Sequence, residues 1–165
     1  MITIRPLGPN DWPAVREIYV QGIATGDATL ETSPPEWETW DQSHVSDLRY
    51  AALSDSGEIA GWAALTPVSG RCVYAGVAEV SVYIGSSFRG QKIGDLLLKH
   101  LIDQSEKRGY WTLQAGIFPE NVPSIRLHEK NDFRLIGYRE NIGKMKGNWR
   151  TVNLLERRSK VVGIS

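Results

Sequence analysis

The chain is poor in the residues that special-purpose chemistry requires. It has one cysteine, Cys72, which cannot close an internal disulfide, and its histidines, His44, His100 and His128, are scattered without metal-ligand spacing. No apolar run approaches the ~18 residues that a membrane helix needs. The opening MITIRPLGPND lacks the basic stretch and apolar segment of a secretory leader. Excess charge of either sign is also missing: 19 Lys and Arg balance 19 Asp and Glu, and the pI is near 6.8. Without a global cationic field, nucleic acid is a poor partner, so any charge-dependent function must be local. These absences point to a reducing, cytoplasmic setting with no metal and no membrane.

What is present is ordinary domain material. With 165 residues, 41% of them hydrophobic, the chain can bury one core without staples. No repeat, low-complexity tract or linker divides it. Residues 1–156 are read as one domain and residues 157–165, which open Arg-Arg-Ser-Lys, as a basic, solvated tail.

Hydrophobic periodicity sets the elements. Residues 2–5 alternate as a strand, and Asn10 or Asp11 can cap a helix carrying Val15, Ile18, Tyr19 and Ile23 on one face. Ser33 with Glu36 three residues on has the form of a capping box, with Trp37 and Trp40 on the buried face of the helix it would start. Strands over 50–54 and 59–65 flank a Ser-Gly turn, and a β-branched strand follows at 77–84. Ile93, Leu96, Leu97 and Leu101 mark the buried face of a long helix stopped by Gly109. A strand at 112–117, a short helix at 123–130 capped by Asn121, and strands at 134–138 and 151–155 complete an α/β, mixed-sheet pattern.

The sharpest local feature is strand, glycine-containing turn, helix: Val80-Ser81-Val82-Tyr83-Ile84, then Arg89-Gly90-Gln91-Lys92-Ile93-Gly94. Such a turn aims free backbone N–H groups and the positive end of a helix dipole at one point, where phosphate binds well. Arg89 and Lys92 add cationic donors. The Gly-Lys-Ser/Thr of a Walker loop and the dinucleotide fingerprint are both absent.

This hexapeptide resembles the pyrophosphate loop, Arg/Gln-x-x-Gly-x-Gly/Ala, of the GNAT acyl-CoA-dependent N-acetyltransferases. Lys92 stands where that family usually has its first glycine; a helical backbone there would preserve the amide donor. Three further segments fall in order: Ala78-Glu79-Val80-Ser81-Val82-Tyr83, Asn121-Val122-Pro123-Ser124-Ile125-Arg126-Leu127-His128-Glu129 and Gly143-Lys144-Met145-Lys146-Gly147-Asn148-Trp149. Together they resemble the phosphinothricin and methionine sulfoximine (or sulfone) acetyltransferase branch. The resemblance implies a twisted, mostly antiparallel mixed sheet of six to seven strands with about four helices, acetyl-CoA as co-substrate, and a homodimer.

The chemistry implied is acetylation of the α-amino group of small amino acid analogues by direct attack. An amine protonated at neutral pH needs a base, and Glu79 matches the family's general-base glutamate. The resemblance also makes Val82, Tyr83 and Ile84 a splayed strand whose backbone binds the acetyl and pantetheine groups. His128 is the candidate acid for the departing thiolate, and Asn121 and Ser124 line the pantetheine arm. For the substrate, Arg71 with Tyr74 could pair a carboxylate, Glu31 lies in a segment resembling the first substrate loop, and Lys144 and Trp149 lie in one often shared across the dimer. The remaining tryptophans read as core, and Cys72 lacks an activating neighbour. Alternatives are a peptide, polyamine or antibiotic amine as acceptor, a non-catalytic acyl-CoA-binding module, or a nucleotide site.

Overall fold

The computed structural model describes all 165 residues. Seven strands form one sheet in the order β1-β2-β3-β4-β5-β7-β6. They are β1 (Thr3–Pro6), β2 (Arg49–Leu53), β3 (Ile59–Pro67), β4 (Val77–Ile84), β5 (Thr112–Ile117), β6 (Arg134–Met145) and β7 (Asn148–Arg158). Four helices flank them: α1 (Trp12–Ala24), α2 (Trp37–Ser43), α3 (Ile93–Lys107) and α4 (Val122–Lys130). None is long and apolar enough to cross a membrane.

Every neighbouring pair is antiparallel except β4 and β5. A parallel pair needs a crossover, and α3 supplies it. This one parallel pair is short: Val77, Ala78 and Glu79 pair with Thr112, Leu113 and Gln114, and beyond that rung the two strands part.

The sheet is covered on both faces, so the core has two parts. On one side Leu97, Leu98 and Leu101 of α3 pack on Ala63, Leu65, Ala78 and Val80. On the other, Val15 and Ile18 of α1 and Trp40 of α2 pack on Ala51, Trp62 and Ala64. Alternation along β4 follows directly: Ala78, Val80, Val82 and Ile84 face α3, while Tyr83 joins the α1 side. Glu79 and Ser81 share Tyr83's face. Gly22 on α1 makes this approach possible, because a Cβ there would stand 2.7 Å from the Tyr83 ring.

Several local expectations change. The Ser33–Glu36 capping box does not form: α2 starts only after Glu36, whose side chain makes no cap bond. The prolines at 34 and 35 hold the preceding stretch out of the helix. Asp11 spends its carboxylate on the Arg5 guanidinium and the Gly8 amide rather than on the first turn of α1. Leu96 is exposed, and the buried stripe of α3 runs through Ile93, Leu97, Leu98, Leu101 and Ile102. The last two strands are far longer than their apolar patterns, meeting in a tight turn at Lys146 and Gly147. The segment expected to fray is tied down: Arg157 pairs with Glu106, Ser159 is buried, and Arg158 donates to the carbonyls of Val162 and Gly163.

One buried cation anchors the α2 wall. Arg49, 4% exposed, pairs with Asp41, donates to the carbonyls of Val45, Asp41 and His44, and lies over the Trp37 and Trp40 rings. A guanidinium with so many acceptors avoids the cost of an unpaired buried charge.

Candidate active site

Where β4 and β5 part, the sheet opens into a cavity of about 850 Å³. It passes from the α4 side, lined by Asn121, Ser124 and His128, through the gap between Val82 and Ala115 to the α1 and α2 side. There Tyr19, Trp40, Trp62, Glu31 and Glu79 line it. Backbone groups that face the gap have no strand partner, and such free donors can meet negative charge developing on a carbonyl oxygen.

Glu79 occupies the vertex. It is the last residue of β4 to pair with β5, half-buried, and its Oε1 accepts a hydrogen bond from Gln114 Nε2 at 3.0 Å. Its position on the Tyr83 face aims it into the α1-side arm. Tyr83 itself stacks on Trp62 and Tyr19, at 4.9 and 5.0 Å between centroids, and burial pushes its hydroxyl well above the usual phenol range. Its side chain is therefore a neutral wall of the acceptor arm; Val82 and Ile84 turn theirs toward the α3 core.

His128 is buried on α4, edge-on to Phe133. Its Nδ1 lies 2.7 Å from the Ser124 carbonyl, which can only accept, so Nδ1 carries the proton and Nε2 keeps a lone pair. Burial lowers its pKa, so the resting imidazole is neutral at physiological pH. This changes the expectation of a ready-made acid: the proton His128 gives up at Nε2 must first be received there.

Asn121 caps α4, its Oδ1 accepting from the Ser124 amide at 3.3 Å. Its Nδ2 donates to the Asp27 carbonyl at 3.1 Å. Both ends of the amide are thus engaged within the protein, and the residue ties the loop after α1 to the start of α4. Arg150 of β7 reinforces that tie by donating to the Gly26 carbonyl and the Asp27 carboxylate while lying 3.9 Å from the Phe118 ring centre.

Arg89, Gly90, Gln91 and Lys92 lie exposed before α3, followed by buried Ile93 and by Gly94, which packs close to Leu127. No backbone amide of residues 89–95 donates to a protein acceptor; the first to do so, that of Leu96, reaches the Lys92 carbonyl. This row of free donors, with Arg89 and Lys92 beside it, suits a pyrophosphate. Lys92 departs from expectation: its backbone is left-handed, with φ 65°, not helical. The position keeps the geometry a glycine would favour, at a cost of about 1–2 kcal/mol.

The expected substrate residues divide. Glu31 lines the cavity. Arg71 and Tyr74 pack on each other outside its lining, exposed, 5.7 Å apart. Lys144 likewise lies over the Trp149 ring at 5.5 Å, both exposed on the β6–β7 hairpin and outside the lining, although Ile142 of the same hairpin belongs to it. Sequence reasoning missed Gln114, Arg139 and His44, which all bear on the site. A strand arginine such as Arg139 carries no local signal, and only the pairing register brings Gln114 to Glu79.

A mixed sheet opened at its one parallel pair, with a carboxylate at the vertex and a row of free helix-start amides alongside, has the form of an enzyme that joins two substrates across a sheet. The chain belongs to the acetyltransferase (GNAT) family, whose model matches residues 12–133, and it is an N-acetyltransferase. Among relatives, a phosphinothricin N-acetyltransferase of Streptomyces coelicolor is 30% identical over 160-odd residues, covering 94% of this chain and 95% of the relative. The L-methionine sulfoximine/L-methionine sulfone acetyltransferase of Salmonella typhimurium is 26% identical, covering 94% and 92%. A solved phosphinothricin acetyltransferase from Sinorhizobium meliloti, in complex with acetyl-CoA, superposes with a TM-score of 0.89 at 25% identity, over 99% of this chain and 91% of that one.

Proposed function

We propose that this enzyme acetylates the α-amino group of small amino acid analogues of the phosphinothricin and methionine sulfone type, using acetyl-CoA. The observation that carries the reading is Glu79 at the vertex of the β4–β5 gap, held by Gln114 and facing the α1-side arm. Acetyl-CoA supplies an activated acetyl thioester. The free amides of residues 89–95, with Arg89 and Lys92, hold its pyrophosphate, and the gap-facing backbone of Val82, Tyr83 and Ile84 receives its pantetheine end.

Glu79 removes a proton from the substrate ammonium, directly or through one water, freeing the nitrogen lone pair for attack. Backbone donors in the gap stabilise the charge that builds on the carbonyl oxygen. His128 acts as a relay: Nε2 takes the proton that the nitrogen sheds as the amide forms and passes it to the departing sulfur. Ser124 holds the imidazole in the tautomer this needs. Two chains pair through the exposed apolar side chains of β6, where Leu135, Ile136 and Tyr138 lie on an edge strand.

The test is release of coenzyme A thiol over a panel of amino acid analogues and simple amines, with wild type and Glu79→Gln. Amino acid analogues should be the good acceptors, and Glu79→Gln should slow them. Equal or better turnover of polyamines or peptides would defeat the reading.

A further inference from the structure

The substrate arm is unusual in its charges. Arg139, on β6, is the one Lys or Arg side chain lining the cavity, whereas two carboxylates, Glu79 and Glu31, line it as well. Arg139 is exposed toward this space and makes neither an ion pair nor a hydrogen bond within the protein. The rest of the arm is aromatic and neutral. Tyr19, Trp62 and Tyr83 stack in one group, and Trp40 closes it edge-on to Trp62. Two histidines could add positive charge but do not: burial holds His44 at about 4 and also lowers His128. Arg49 lies behind the aromatic wall, already paired with Asp41.

An enclosed anion must find a cationic partner, or remain hydrated outside. One free guanidinium answers one anionic group. Glu79 faces the substrate's ammonium, and Glu31 repels any second negative charge. We infer that Arg139 pairs the α-carboxylate of the acceptor, that the aromatic wall holds an uncharged side chain, and that the site therefore selects zwitterionic amino acids over doubly anionic ones. Methionine sulfone and methionine sulfoximine have the favoured charge pattern: one ammonium, one carboxylate and an uncharged side chain. Phosphinothricin carries a phosphinate in addition, which this cavity leaves unpaired.

The inference rests on the amino acid reading above and is tested separately from it. The comparison is kcat/KM for L-methionine sulfone, L-phosphinothricin and 3-(methylsulfonyl)propylamine, the sulfone without its carboxylate, using wild type, Arg139→Gln, Arg71→Ala and Lys144→Ala. The sulfone should exceed phosphinothricin by at least about tenfold, the ratio expected when one charge is left unpaired. Arg139→Gln should lower the sulfone value by about tenfold or more and leave the carboxylate-free amine within about twofold. Arg71→Ala and Lys144→Ala should change that contrast little. Arg139 is exposed and unpaired, so its loss should leave the thermal midpoint near wild type. Phosphinothricin matching or exceeding the sulfone would overturn the inference while sparing the amino acid reading. So would a carboxylate contrast lost with Arg71 or Lys144 but retained without Arg139. Failure of every amino acid to turn over would bring down both.

Discussion

Glu79 and Gln114 face each other on the last paired rung between β4 and β5, joined by a 3.0 Å hydrogen bond from Nε2 to Oε1. The same rung ends the parallel ladder and begins the cavity, so the register that closes the sheet also orients its carboxylate. Glu79→Gln should lower kcat by about 10²-fold or more, the usual contribution of a positioned base. Gln114→Leu should lower it less, about tenfold. Because Gln114 acts through Glu79, the double variant should be little worse than Glu79→Gln alone; additive losses in steady-state kinetics would separate the two roles.

Lys92 holds φ 65° at the start of α3 without a glycine's freedom. Lys92→Gly should be more stable than Lys92→Ala by about 1 kcal/mol in urea unfolding, since only glycine relieves the left-handed strain. Both variants lose the side-chain ammonium, so their KM values for acetyl-CoA should rise together. A Gly variant less stable than the Ala variant would show that Lys92 is not strained there.

His44 stacks on Trp40 at 4.0 Å, and its Nδ1 lies 2.7 Å from the Trp40 carbonyl. Burial lowers its pKa from 6.5 to about 4. Between those values the unfolded chain binds this proton and the folded protein does not. Stability is therefore complete above pH 6.5 and falls as pH drops toward 4, by on the order of 2–3 kcal/mol from this group. Urea midpoints at pH 7 and 4.5 read the effect directly. His44→Gln should remove a large share of the difference, although burial of His128 and His100 adds to it in the same direction.

Arg150 fastens the loop after α1 to β7 through the Gly26 carbonyl and the Asp27 carboxylate. Arg150→Gln should raise KM for the amine several-fold, because Glu31 and its neighbours form the wall that this loop sets, and leave KM for acetyl-CoA close to wild type. Equal rises in both constants would mark a general loosening. A fall in kcat without a change in either KM would point to an effect on Glu79.

The part of this architecture written in local pattern was readable. The β-branched run at 77–84, the α3 periodicity and the Asn121 cap all rest on interactions within a few residues, and all appear. The capping box at Ser33 failed because two prolines follow it, restricting the backbone just where the helix would begin. Long strands β6 and β7 were underestimated, since exposed positions such as Tyr138 and Arg139 break the apolar alternation. At the site, motif resemblance singled out Glu79 and His128, and both line the cavity. Nearness along the chain suggested Arg71 as the carboxylate partner; its loop leaves it outside the lining, and the arginine that does line the cavity, Arg139, stands 60 residues after Glu79 and is brought there by sheet order. Charge state was equally hidden: only burial and the Ser124 carbonyl decide that His128 rests neutral.

The cavity has lining residues on both faces of the sheet, Ser124 and His128 on one and Tyr19 and Trp62 on the other, so in the proposed reaction each substrate comes to the gap from its own face. Neither substrate blocks the other's route, so no acyl group need be parked on the protein while one leaves and the next arrives. Both can be aboard together, and initial-rate plots should intersect rather than run parallel. The spent thiol and the new amide then depart by separate ways, so a rise in one need not delay release of the other.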